Sequence, residues 1–171
     1  VAVSAKNGKI FVSNRGGRRP ASGDTTAPSS GSEVVTDPVT GAATTGTVSV
    51  IDAATFAAKE IAVGLAPSGM ALSPDESTLA VANGHSDTIS ILDTRTLART
   101  DLKIPSYPES FAGSQPIGAV FAPDGKTIYV ACGGANAIAV VTAAGKTWKV
   151  AGAVPTGWFP SALAVDREGN L

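Results

Sequence analysis

The chain is short of the residues that usually carry chemistry. Its 171 residues include one cysteine, Cys132, one histidine, His85, and one methionine. A single cysteine excludes an intrachain disulfide, and with a single histidine beside it no zinc site of the Cys/His type can be assembled. Charged residues make up 16% of the chain and the formal net charge is −1. That balance gives no general basic field to drive duplex binding through counterion release, so a charged partner has to be met locally. No apolar run approaches the roughly 20 residues that span a bilayer, so membrane insertion is not expected. Residues Val1 to Lys6 lack the charged-then-apolar layout of a signal peptide. The missing initiator Met suggests a start further upstream.

What is abundant is glycine (19), proline (11) and apolar residues (43%) in short runs. That is the composition of many short strands joined by tight turns, with enough apolar surface to bury a core. The runs repeat. Val1 to Asn14 aligns without gaps to Met70 to Asn83, a third copy runs from Ala119 to Cys132, and a fourth starts at Pro160 and stops at Leu171. A second element follows at constant distance, in Thr47 to Asp52, Thr88 to Asp93 and Ala137 to Thr142. Both elements alternate apolar with small or polar residues, the period of two that strands require.

Each unit therefore reads as four strands. Strand a is expected near 1–4, 68–73, 117–122 and 161–165, and strand b at 9–14, 77–83 and 126–132. Strand c is expected at 46–52, 87–93 and 136–142, and strand d at 57–63, 97–104 and 147–154. Four-stranded units recurring every 40 to 50 residues predict an all-β fold, a β-propeller of antiparallel blades. Residues 1–171 hold three b–c–d sets and the start of a fourth blade, a partial ring with an insertion at 15–45 in the first b–c loop. Open blade faces would be covered by further blades or by another copy of the chain.

Phe11-Val12-Ser13-Asn14, Ala80-Val81-Ala82-Asn83 and Tyr129-Val130-Ala131-Cys132 resemble the strand-b signature of YVTN-repeat propellers. Cys132 stands where that family has Asn. The stretch from Phe11 to Gly46, with Pro155 to Pro160, is similar to bacterial YncE-like propellers that precede an alkaline-phosphatase-like phosphoesterase domain. That resemblance implies a periplasmic or extracellular protein, and a metal-dependent phosphoesterase whose catalytic domain lies outside these residues.

Successive strands reverse, so the b–c and d–a connections emerge on one face of the disc, and every long connection falls there. Elaborated loops on a rigid scaffold are where binding resides. Arg15, Arg18 and Arg19 surround a glycine pair and could grip a phosphate or carboxylate through paired donors, or could pair with Asp24 or Asp37 in a solvated loop. Trp158 and Phe159 could stack on a ligand or base, or fill space between blades. Tyr107 and Phe111 are open to the same two readings. His85 could hydrogen-bond an anion or simply complete the short b–c turn.

Catalytic patterns are missing. Gly41 to Gly46 has the spacing of a phosphate loop, but Thr47 and Val48 follow where Lys and Ser/Thr are needed. No Gly-x-Ser-x-Gly elbow and no tandem acidic calcium loop occur. Asp75 and Asp124 are assigned to a–b turns, and Asp52 and Asp93 to turn-capping after strand c. No catalytic residue, cofactor or metal is expected within these residues. The function they suggest is a non-catalytic binding module for a small anionic ligand, a protein or a fused domain. The alternatives are the propeller part of a phosphoesterase and, against the net charge, single-stranded nucleic-acid binding.

Overall fold

The computed structural model of the chain describes residues 1–106, 113–145 and 147–171, and all regular structure among them is β. Three four-stranded antiparallel sheets follow one another. The first blade is β1 (Ala2–Ser4), β2 (Lys9–Asn14), β5 (Thr47–Asp52) and β6 (Ala58–Ala62). The second is β7 (Pro67–Leu72), β8 (Thr78–Asn83), β9 (Thr88–Asp93) and β10 (Arg99–Lys103). The third is β11 (Pro116–Phe121), β12 (Thr127–Cys132), β13 (Ala137–Ala144) and β14 (Thr147–Pro155). Within each sheet the strands lie in the order a, b, c, d. The strand a expected at 161–165 does not form, because no strand of the described chain lies beside it to supply a hydrogen-bond ladder. The turn meant to follow it is nevertheless made, with Asp166 accepting from the amides of Glu168 (3.0 Å) and Asn170 (2.8 Å).

Blades pack face to face, and the period of two decides which residues meet. Leu79, Val81 and Leu92 of the second blade join Phe11, Val48 and Val50 of the first in one buried cluster. Ala80, Ile89 and Ile91 face the other way, onto Phe121, Ile128, Val130 and Val141 of the third. The middle blade is covered on both faces, which is why Leu79-Ala80-Val81-Ala82 reads as a continuous apolar run. Trp148 meets Phe121 edge-on at 6.1 Å between ring centroids. The inner strands approach most closely at Gly69, where a Cβ would lie 2.6 Å from the Ile117 carbonyl oxygen and 2.7 Å from Gly118 Cα.

Turns are held by carboxylates. Asp52 accepts from the amides of Ala54 (3.0 Å) and Thr55 (2.8 Å), and Asp93 from those of Arg95 (3.0 Å) and Thr96 (2.6 Å). Asp75 and Asp124 do the same in a–b turns, toward Ser77 (3.0 Å) and toward Lys126 (2.8 Å) with Thr127 (3.0 Å). Each of these carboxyls is held below its ordinary range by those hydrogen bonds, Asp75 at about 2 with the Ser73 hydroxyl as the largest cause.

The strand-end asparagines form a repeated polar clasp. Asn14 donates to Thr47 Oγ1 (3.0 Å) and Ser49 Oγ (2.8 Å), and Asn83 donates to Thr88 Oγ1 (3.0 Å) and Ser90 Oγ (2.9 Å). In the third blade Cys132, Ala137 and Ala139 occupy the equivalent register, so all three members of the clasp have become small and apolar. Burial pushes the Cys132 thiol up to about 11, and it packs as a small hydrophobe.

The insertion is not a bare loop. It contains a hairpin of β3 (Thr26–Ser29) and β4 (Ser32–Val35), turned through Ser30 (φ 48°) and Gly31 (φ 83°), with a further bridge between Thr36 and Ala43. Positive φ at both central residues is the geometry that suits the twist of a two-residue hairpin.

Candidate functional site

The b–c and d–a connections gather at one end of the blades. Each d–a link reads Gly-x-x-Pro, at Gly64 to Pro67, Gly113 to Pro116 and Gly157 to Pro160. The residue before each Pro has positive φ: Ala66 51°, Gln115 50° and Phe159 50°. This conformation costs a non-glycine residue of order 1 kcal/mol or more. It turns the carbonyl toward the next blade, where Gly84 donates to Ala66 O (3.2 Å) and Gly133 to Gln115 O (3.1 Å).

The residue before strand c ties these links down. Buried Asp87 accepts from the amides of Gln115 (2.9 Å) and Gly113 (2.9 Å), with Lys103 Nζ at 3.5 Å. Burial opposes ionisation of Asp87 most strongly, but the two amides and Lys103 outweigh it and hold its carboxyl below the ordinary value. Asn136 does the corresponding job in the third blade, accepting from the amide of Phe159 (2.9 Å). These ties went unread in the sequence, although the repeated Gly-x-x-Pro spacing was there to signal them.

Two of the candidate side chains come together on this face. Arg15, immediately after β2, and His85, on the b–c turn of the second blade, line one pocket of about 390 Å³. Its other walls are Ser29, Ser30 and Ser32 of the insertion hairpin and the small apolar surfaces of Val34, Ala43 and Ala66. The backbone around it is fixed. His85 N donates to Leu65 O (3.1 Å), Leu65 N donates to Ser86 Oγ (2.6 Å), and Gly17 N closes a turn onto Asn14 O (2.9 Å). A Cβ at Gly16 would lie 2.9 Å from Val34, so the glycine lets the hairpin seat against the Arg15 turn.

The other candidates fall elsewhere. Arg18 is committed to Asp24 through two parallel bonds of 2.7 and 2.8 Å, and Asp24 also caps the Ala21 amide at 2.6 Å. The Arg18 guanidinium holds the Asp24 carboxyl down to about 2. Arg19 is exposed and outside the pocket. Trp158 is 90% exposed and fills no space between the three described blades, whereas Phe159 lays its ring over Gly133. Tyr107 and Phe111 lie outside the described residues.

The acids offer no cluster. Among the described residues no three His, Cys, Asp or Glu side chains gather as a metal site would require. Glu76 joins the first two blades on the opposite face, accepting from Ser4 Oγ (2.8 Å) and the Lys6 amide (2.9 Å).

Antiparallel four-stranded blades packed face to face around inner strands define a β-propeller. Residues 16–170 match the sequence profile of the YNCE-like β-propeller family, and the chain belongs to it. A search of curated proteins gives no match. Among solved structures, the hydrazine synthase of Kuenenia stuttgartiensis is 31% identical over 72% of this chain and 34% of its own, with a TM-score of 0.62. The periplasmic gluconolactonase PpgL of Pseudomonas aeruginosa is 20% identical over 98% of this chain and 47% of its own, with a TM-score of 0.61. XC5397 of Xanthomonas campestris, also a gluconolactonase, is 20% identical over 96% of this chain and 49% of its own, with a TM-score of 0.58. The chain thus spans about half or less of the structures it matches.

Proposed function

We propose that these residues form a non-catalytic binding module that meets its ligand or partner on the face carrying the b–c and d–a loops. The observation that carries this reading is the convergence of Arg15 and His85, from two different blades, on one pocket in that face. Neither side chain makes a hydrogen bond or ion pair within the described chain, while most of the carboxylates are already engaged in turns, caps and interblade bonds. The gluconolactonases among the solved neighbours do not alter the reading. At 20% identity the gluconolactonases speak for the fold, and fold alone does not carry an activity.

The same reading puts the module outside the cytoplasm, in the periplasm or beyond. Support comes from the family and from a neighbour described as periplasmic. Cell fractionation of the full-length protein that found it in the cytosol would contradict this placement.

The binding reading is tested by a thermal-shift screen of the full chain against small organic anions, peptides and oligonucleotides. A hit should be lost when residues 18–44 are replaced by a short Gly-Ser turn, with strand content unchanged by circular dichroism. A hit that survives this replacement and maps to the a–b and c–d turns contradicts the reading. Hydrolysis carried by this chain's own side chains does so equally.

A further inference from the structure

The walls of the Arg15–His85 pocket present a cationic donor and no carboxylate. Arg15 offers a planar fork of N–H donors, and the imidazole of His85 offers a ring nitrogen. Ser29, Ser30 and Ser32 add three hydroxyls that make no hydrogen bond within the described chain. The nearest acid in sequence, Glu33, is excluded by strand alternation, because Ser32 and Val34 of β4 line the pocket and Glu33 therefore belongs to the other side. The volume of about 390 Å³ lies at the lower end of the range for small-molecule sites. That volume suits a small metabolite. The apolar part of the pocket's lining, Val34, Ala43 and Ala66, suits a short carbon skeleton.

We infer that this pocket takes a small organic anion, whose single oxyanion head sits on Arg15 and His85 and whose remaining polar atoms face the serine hydroxyls of the hairpin. The inference rests on the binding-module reading and deepens it by naming the ligand class. The Arg15 fork matches two oxygens of a carboxylate or a phosphate equally well. Those two sources share the oxyanion chemistry and are separated by experiment. The turn around Gly17 and the bonds fixing the His85 backbone hold the two backbone positions before the ligand arrives, so the ordering cost of binding falls on the two side chains. Arg18 cannot take part while it is paired with Asp24.

The test uses the isotopically labelled full chain, titrated separately with inorganic phosphate and with acetate and followed by the amide signals. At least one probe should shift His85, Gly16 and the Ser29–Ser32 hairpin, and the probe that does so identifies the head group. Arg15→Gln should weaken that binding about tenfold or more, the loss expected for a charge-assisted pair. His85→Gln should weaken it less. Arg95→Gln, on the c–d turn at the opposite face, should leave it within about twofold, which separates a site from bulk charge. The Arg15 side chain makes no hydrogen bond or ion pair among the described residues, so its variant should keep the wild-type melting temperature.

The inference is overturned if neither probe perturbs these signals, or if Arg15→Gln binds as well as the wild type. Should neutral molecules or peptides shift the same face while both anions fail, the ligand class is wrong and the binding module stands. If nothing shifts that face, both fall.

Discussion

Asn83 is buried with 0% exposure and is the middle of a polar clasp in an otherwise apolar blade. It donates to Thr88 and Ser90, while its Oδ1 is a buried acceptor with no partner among the described residues. Each neutral hydrogen bond contributes about 1 kcal/mol net, so Asn83→Cys alone forfeits about 2 kcal/mol and leaves hydroxyls short of a donor. Losing the unpaired Oδ1 returns about 1 kcal/mol of that. The third blade shows the alternative, since Cys132, Ala137 and Ala139 fill the same register without polar atoms. Installing that set in the second blade as Asn83→Cys, Thr88→Ala and Ser90→Ala removes donors and acceptors together. Ser90 also donates to Asp101 (2.6 Å), but Asp101 is 37% exposed beside Arg99 and can turn to water.

The triple variant should therefore lose about 1 kcal/mol or less, well under the sum of the three single changes. The assay is urea denaturation of all four variants, followed by circular dichroism. The reasoning is refuted if the triple variant is as destabilised as the sum of the singles.

Three further outcomes follow from the same structure. Gly69→Ala should destabilise by about 1–3 kcal/mol in the same assay, because its methyl would be driven into the backbone of Ile117 and Gly118 where inner strands meet. Asp24 and Asp75 both titrate near 2 instead of at the ordinary 3.8, so the stability they add is complete above 3.8 and disappears as pH falls toward about 2. Denaturation midpoints measured across that window should decline, and Asp75→Asn should flatten the decline. Trp158→Ala should change stability by no more than about 0.5 kcal/mol, since the ring is 90% exposed, and a larger loss would mean that it is packed in solution.

The blades were legible because their physics is repetitive. A strand buried on both faces must be apolar throughout, as Leu79 to Ala82 is, and Asp52 and Asp93 recur where a turn needs an acceptor. The hairpin at Thr26 to Val35 was not legible. Its strands are four residues each without alternation, and Pro28 lies in one of them, tolerated because the ribbon has only two strands. The unpaired 161–165 segment shows the converse: a strand pattern is realised only where a neighbour supplies the ladder. At the site, the sequence offered three guanidiniums without distinguishing them. Which one faces the pocket is set by loop folding: Arg18 pairs with Asp24, Arg19 is exposed outside the pocket, and Arg15 lines it with His85. Asp87 hid in the same way, as one acid in a short turn whose partners Gly113 and Gln115 lie far along the chain.

The central claim is that binding resides on the face carrying the b–c and d–a loops. Hydrogen–deuterium exchange of the full chain, with and without the strongest screened ligand, tests it most directly. Protection should concentrate at Arg15–Gly17, the Ser29–Val34 hairpin and Gly84–Ser86. Protection confined to the a–b and c–d turns, with those three segments unchanged, would contradict the account.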